Sequence, residues 1–232
     1  MLINQTQNAV IVASINPHSL EVNEVKVLNL YAGIGGNRKL WTDVEVTAIE
    51  LNPKIASIYQ DFFPQDNVLL GDAHVYLLEH FDEYDFIWSS PPCPTHSCLN
   101  QTNVYHTPRK NNPLKIQYPD MKLYEEIILL KQYFAGKWCV ENVISFYKPL
   151  IKPSEIGGHY YWSNFFIGQI SNKNREHYGG IQKLQERKQY DLSKYSGIDK
   201  VKILRNCVEP EVGLHILNYA NKQPDDLFKL TP

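Results

Sequence analysis

The 232-residue sequence lacks any long apolar run. No window approaches the roughly 20 consecutive apolar residues a membrane helix needs, which excludes a membrane-spanning helix. The N-terminus has neither the basic start nor the apolar core of a secretion signal. Cysteine is scarce: Cys93, Cys98, Cys139 and Cys207 are the only four, and they do not fall in metal-finger spacing. A disulfide framework suits smaller secreted chains, so reduced thiols in a cytoplasm are the expectation. The eight histidines are scattered and no metal is assigned to them. What remains is an ordinary globular composition, 43% hydrophobic and 21% charged, in a chain long enough for one domain or one plus a small appendage.

The net charge of −2 hides an asymmetry. Between Asp43 and Asp85 stand ten acids and one base, Lys54; between Arg109 and Lys152 eight bases face four acids, and between Lys173 and Arg205 nine face four. The split suggests an acidic half that handles a small cationic ligand and a basic half that meets phosphates.

The stretch Ser89-Ser90-Pro91-Pro92-Cys93-Pro94-Thr95-His96-Ser97 organises the chain. It follows Tyr84-Asp85-Phe86-Ile87-Trp88, which reads as a buried parallel strand. Adjacent prolines forbid helix and supply no backbone donors, so the chain leaves the sheet stiffly and delivers Cys93 at the carboxyl edge, where open α/β sheets place ligands. A cysteine held there is a candidate nucleophile. Taken alone, it is as readily a small buried hydrophobe beside a turn.

Residues 1–24 are polar and unpatterned, an extension or a first strand and turn. Val25 to Leu30 reads as a strand, ended by Tyr31-Ala32-Gly33-Ile34-Gly35-Gly36; glycines there permit a tight turn and close approach to a ligand, with a helix N-terminus expected to follow. Val46 to Ile49 is a second strand with Glu50 at its tip, where a carboxylate suits ribose hydroxyls. Asn52-Pro53 opens a helix to Phe62. Asn67 to Leu70 is a third strand, ended by Gly71-Asp72, with Asp72 placed for an adenine or amine. Acids after strands two and three behind a glycine-rich first turn, without dinucleotide spacing, favour S-adenosylmethionine over NAD. The polar stretch 95–118 is too long for an idle connection and reads as a mobile lid or active-site loop. Asp120 to Phe134 is a helix with Leu123, Ile127, Leu130 and Phe134 on one face. Lys137 to Val140 is a strand closed by Glu141-Asn142-Val143, which sets a general-acid candidate at the same edge as Cys93; a surface acid is the plain alternative. The fold expected is α/β, a Rossmann-like sheet with helices on both faces.

Tyr-Ala-Gly-Ile-Gly-Gly, the downstream Glu50, Gly71-Asp72, Pro91-Pro92-Cys93 and Glu141-Asn142-Val143 come in the order and approximate spacing of the cytosine C5 DNA methyltransferases, which the chain resembles from about Val25 to Tyr219. Arg205-Asn206-Cys207-Val208-Glu209-Pro210 is similar to that family's final Gly-Asn-x-Val-Pro motif. Amino-methylating relatives carry an aromatic residue where Cys93 stands. The resemblance implies a DNA (cytosine-5-)-methyltransferase, bacterial or phage-borne and of the kind found in restriction-modification systems. It would act as a cytoplasmic monomer on double-stranded DNA with the target cytosine flipped out, with RNA as a possible substrate and no metal or membrane. It assigns catalysis to Cys93, Glu141 and Asn142. It assigns the S-adenosylmethionine site to Tyr31, Ala32, Gly33, Ile34, Gly35, Gly36, Glu50, Leu51, Asp72, Ala73, Pro92, Asn206 and Val208. Trp41 and Trp88 read as core; Trp162 is either core or a base-stacking residue.

The chain departs from that family in three places. The arginine-bearing motif after Glu-Asn-Val is absent, and His159-Tyr160-Tyr161-Trp162-Ser163-Asn164-Phe165 occupies its place. Arg205 and Glu209 replace a glycine and a proline of the final motif. Only about forty residues lie where the family places a whole target-recognition domain. The expected organisation is an extension over 1–24, a catalytic domain over 25–170, a short remnant of a recognition region over 171–204, and a C-terminal return over 205–232. The remnant's Lys173, Arg175, Lys183, Arg187 and Lys188 are expected to contact phosphates, giving salt-sensitive binding and a context of about two or three bases. A tRNA cytosine-5 methyltransferase and a catalytically idle cofactor- or nucleic-acid-binding module are the alternative readings.

Overall fold

A computed structural model describes residues 24–98, 118–170 and 180–222. The strands are β1 (Val25–Leu30), β2 (Val44–Glu50), β3 (Asn67–Leu70), β4 (Phe86–Ser89), β5 (Lys137–Val143), β6 (Ser154–Ile156) and β7 (His159–Ser163). The helices are α1 (Pro53–Phe62), α2 (Ala73–His80), α3 (Lys122–Tyr133), α4 (Ile181–Lys188), α5 (Lys200–Asn206) and α6 (Pro210–Ala220). One sheet runs in the order β3-β2-β1-β4-β5-β7-β6. β1 to β5 are parallel, and β7 enters antiparallel to both β5 and β6. The order reverses between β1 and β4, so the crevice beyond their carboxyl ends is the switch point where such sheets bind ligands.

The central strands are apolar on both sides because each face is covered. Leu28, Leu30, Ile87 and Val140 pack with Leu77 of α2 and Leu123, Ile127 and Leu130 of α3. Val27, Phe86, Trp88 and Cys139 face the other way, against Trp41 and Val212, Ile216 and Leu217 of α6. Burying each such large aliphatic side chain contributes about 1.5–3 kcal/mol. Trp162 is buried, and its indole nitrogen donates to the Ile151 carbonyl at 2.8 Å, so the core reading holds for it. A third cluster joins Ala32, Ile34 and α1 residues Ile58 and Tyr59 to Leu184, Tyr190, Leu192 and Leu204. The segment 180–207 therefore packs into the same body as the sheet.

Three local features differ from the sequence expectations. No helix follows the glycine-rich turn; residues 31–40 form successive turns up to Trp41. Tyr31, Gly33 and Gly35 all have positive φ (55°, 57° and 83°), a pattern no helix accommodates. The turns are anchored by side chains instead: Arg38 makes two buried hydrogen bonds to Asp66, at 2.8 and 3.0 Å, and Tyr59 donates to the same carboxylate. β5 runs on through Glu141 to Val143, beyond its last pair with β4, because β7 supplies antiparallel partners: Glu141 faces Tyr161 and Val143 faces His159. α2, α4, α5 and α6 are additions to the elements read from the sequence. The extension 1–23, most of the 95–118 loop and the start of the remnant, with Lys173 and Arg175, lie outside the described residues.

Candidate active site

The turn after β1 and the exit of β4 flank the switch point. Gly35 cannot be replaced there without strain: its φ is +83°, and a Cβ would lie 2.4 Å from the Phe63 ring. A Cβ at Gly36 would collide with the Cys207 sulfur and the Val208 carbonyl, so the final motif lies directly on this turn. A Cβ at Gly33 would meet nothing within 4 Å, which leaves its backbone bordering open space. Tyr190 is buried and its hydroxyl donates to the Gly35 carbonyl at 2.8 Å.

Glu50 ends β2 with both carboxylate oxygens committed to backbone: Oε2 accepts from Gly33 N–H at 3.0 Å and Oε1 from Asn52 N–H at 2.9 Å. It thereby fixes the conformation of the turn as well as presenting charge at its edge. Asn52 accepts from the N–H groups of Lys54 and Ile55 and caps α1, whose first residue is Pro53. Asp72 caps α2 through His74 and Val75 N–H. Burial acts to raise the Asp72 pKa, but those N–H bonds and Lys122 outweigh it and hold the carboxyl below its usual range. Beside Glu50, which pairs in register with Leu70, two leucines stand uncovered: Leu51 is 72% and Leu70 63% exposed. Carboxylates next to bare apolar side chains and an open glycine backbone fit an adenosine, which offers hydroxyls, an amine and a flat apolar ring. The residues present therefore fit S-adenosylmethionine. Ala32, Ile34 and Ala73 are buried, and Asn206 is exposed at the end of α5.

On the other side of the crevice, Cys93 is half-buried on a turn whose own carbonyl accepts from His96 and Ser97 N–H at 2.9 and 3.0 Å. Asn142 fixes the approach: its Nδ2 donates to the Pro91 carbonyl at 3.0 Å, one residue before Pro92. Phe146 N–H donates to the His96 carbonyl, and Ser97 bridges Ser145, so the Cys93 turn is stitched to the chain leaving β5. Glu141 is near enough for its charge to act on the thiol. Burial, and after it Glu141, push the Cys93 pKa above its ordinary value, so the resting form is the thiol.

Several site residues went unrecognised in the sequence. His159 on β7 brings Nε2 within 3.8 Å of Glu141 Oε1, in the stretch that stands where the arginine motif was expected. His96 is buried and its Nδ1 lies 2.6 Å from the Tyr147 hydroxyl. Glu126 is buried, and its Oε1 accepts from the Tyr31 hydroxyl at 2.6 Å. His159 was foreshadowed by the absence of arginine; His96 by its place within the proline turn.

Of the expected phosphate contacts, Lys188 is not a surface charge and Arg187 is only partly exposed and ion-paired. Lys188 is buried, donating to the Cys207 carbonyl and pairing with Glu209 at 2.8 Å, and Arg187 pairs with Glu209 at 3.1 Å. The physical reason is position: Leu184 and Lys188 are i, i+4 on the α4 face that meets the core. Glu209, which stands where the family has a proline, is the acid that receives both cations. Among the described residues no group of three or more His, Cys, Asp or Glu could hold a metal, and no helix is long and apolar enough to cross a membrane.

Replacing Glu50 by Ala is expected to weaken S-adenosylmethionine binding by about 1–3 kcal/mol, roughly five- to 150-fold. Calorimetry on the purified variant checks this, and unchanged binding would make Glu50 a bystander.

Comparison with known proteins bears on this arrangement. A methyltransferase from Entamoeba histolytica superposes with a TM-score of 0.51 at 12% identity, covering 88% of this chain and 99% of that one, a likeness of fold. A DNMT2 variant from Spodoptera frugiperda is 24% identical over 51% of this chain and 35% of its own, with a TM-score of 0.34. YhhF, a methyltransferase of Escherichia coli so described provisionally, is 16% identical over 62% of this chain and 76% of its own, with a TM-score of 0.38. No curated protein sequence matches. The fold is that of the methyltransferases, a mixed seven-stranded α/β sheet. Residues 25–123, which carry β1 to β4, the glycine-rich turn and Cys93, match the C-5 cytosine-specific DNA methylase family.

Proposed function

We propose that the chain transfers a methyl group from S-adenosylmethionine to C5 of a flipped cytosine in DNA, through a covalent adduct with Cys93. The observation that carries this is the placement of Cys93 and Glu141 at one edge, on the exits of neighbouring strands β4 and β5 and within electrostatic reach. The glycine-rich turn lies across the switch point from them.

Cytosine C5 is a poor nucleophile, so its ring must first be made electron-rich. The Cys93 thiol gives up its proton to solvent and the thiolate adds to C6, which converts one hard step into two easier ones. Glu141 shares a proton with ring N3 and so relieves the charge pushed onto the ring. S-adenosylmethionine would supply the electrophilic methyl carried on its sulfonium, the S–CH3 bond breaking to leave a neutral thioether. Once C5 bears the methyl, its proton leaves to a base and the Cys93–C6 bond breaks, restoring the aromatic ring and the thiolate. Asn142 holds Pro91 and so aims Cys93. His159, beside Glu141, offers a second proton-bearing group where the family's arginines would stand. A base inside a duplex cannot reach this edge and must be flipped out, at a cost of a few kcal/mol.

The division into a catalytic part over 25–170, a recognition remnant over 171–204 and a return over 205–232 belongs to the same proposal. The engagement of Arg187 and Lys188 with Glu209 supports a recognition surface reduced even further than its charge count suggests. Labelled methyl transfer from S-adenosylmethionine to duplex DNA and to tRNA, in parallel, tests the reading. Label entering cytosines of DNA is the expected result; label entering tRNA alone changes the substrate, and label in neither overturns the activity.

A further inference from the structure

Glu126 is an acid on the buried face of α3, 0% exposed. An ionised carboxylate taken fully out of water is costly unless it is paired and hydrogen-bonded. It has three side-chain partners from three other parts of the chain: Tyr31 Oη donates to Oε1 at 2.6 Å, His74 Nδ1 lies 3.1 Å from Oε1, and Ser89 Oγ donates to Oε2 at 2.6 Å. His74 is itself nearly buried, and its other ring nitrogen lies 3.3 Å from Glu125. With carboxylates at both nitrogens the imidazolium, a donor at each, is the form that suits the site.

The partners are not scattered. Tyr31 opens the glycine-rich turn at φ +55°, a conformation few residues other than glycine adopt without support. His74 is the second residue of α2, whose cap is Asp72. Ser89 is the last residue of β4, four positions before Cys93. Glu126 thus joins the turn after β1, the turn after β3 and the exit of β4, three elements around the switch point.

We propose that Glu126 is a positioning residue for the S-adenosylmethionine site, its carboxylate locking Tyr31, His74 and Ser89 into one frame before the cofactor arrives. This rests on the reading of that edge as the cofactor site. Preorganisation raises affinity by removing the ordering cost from the binding step, so loosening the frame weakens binding without removing any group from the cofactor's own contacts. The hydrogen bond to Glu126 raises the His74 pKa first, burial opposes it, and the nearby charges of Glu126, Lys122 and Glu125 act in turn. Asp72 also faces His74, and Asp120 lies near Tyr31. Because the shift is upward, the frame is complete below the His74 titration and is lost as pH rises through it.

The test measures S-adenosylmethionine binding by calorimetry from pH 6 to 9, with the His74 ring followed by NMR in the cofactor-free protein. Ser89→Ala removes one hydroxyl from the frame at a residue outside the assigned cofactor contacts, and is expected to weaken binding roughly tenfold. Glu126→Gln removes the charge; it is expected to weaken binding at least as much and to move the His74 titration to lower pH. The unmodified chain is expected to bind more weakly as His74 deprotonates, and Glu126→Gln to lose that dependence. Should Glu126→Gln fail to fold, Ser89→Ala decides the matter. Unchanged affinity and an unchanged pH profile in a folded variant overturn the role of Glu126 alone. An unmodified chain that binds no S-adenosylmethionine overturns the proposed function and this role with it.

Discussion

Cys93→Ala is expected to reduce methyl transfer below detection while S-adenosylmethionine binding stays within about twofold of the unmodified chain. The separation follows from the geometry. Cys93 stands on the β4 exit, whereas Glu50, Asp72 and the open backbone of Gly33 lie around the ends of β1, β2 and β3. Truncating one half-buried sulfhydryl leaves no orphaned polar group, because the backbone bonds of the Cys93 turn run through its carbonyl and survive. The checking pair is a methylation assay and calorimetry on the same preparation. Turnover retained by the alanine variant would exclude a covalent intermediate.

Glu141→Gln is expected to act in two opposite directions at once. Methyl transfer falls by roughly 10²–10⁴-fold, the usual contribution of a positioned acid or base. Alkylation of Cys93 by iodoacetamide at a fixed pH near neutral becomes faster. Burial is the larger cause of the raised Cys93 pKa and is untouched by the change; the charge of Glu141 is the second cause and is removed. The thiol then ionises at lower pH, and the thiolate is the form that alkylates. For the same reason alkylation of the unmodified chain is expected to rise with pH beyond the range of an ordinary cysteine. Alkylation of Glu141→Gln at the unmodified rate and pH profile would show that the two groups do not act on each other.

The carboxyl edge of the sheet was legible in the sequence because strands and their punctuation are local signals. Gly71-Asp72 and Pro91-Pro92 mark where β3 and β4 end, and the residue types beyond them announce chemistry. The interior partners were less legible because they are set by packing across the chain. Glu126 reads at first as a solvated helix acid, yet it lies three residues after Leu123 and four before Leu130, on the stripe that faces the core. A carboxylate on such a stripe requires a partner, and that was the available signal. Lys188 gives the same lesson in the other sign, four residues after Leu184. The turns after Gly36 were misjudged as a helix because glycine at the end of a first strand precedes either outcome. The buried Arg38–Asp66 pair, spanning 28 residues, is a long-range contact that favours the turns.

The hydrogen bond from Tyr190 to Gly35 joins residues 155 positions apart, and Cys207 and Val208 close on Gly36 from further still. During synthesis, the glycine-rich turn emerges more than 150 residues before its covering. Contacts of that separation incur their loop-closure entropy before they return any energy, so they form late. A nascent chain halted at residue 123, the end of the family match, carries Cys93 and both cofactor-edge acids but no roof over Gly35 and Gly36. It also lacks Glu126, the partner of Tyr31. On the proposed reading, competence to hold the cofactor therefore waits until the chain has been made at least as far as Val208.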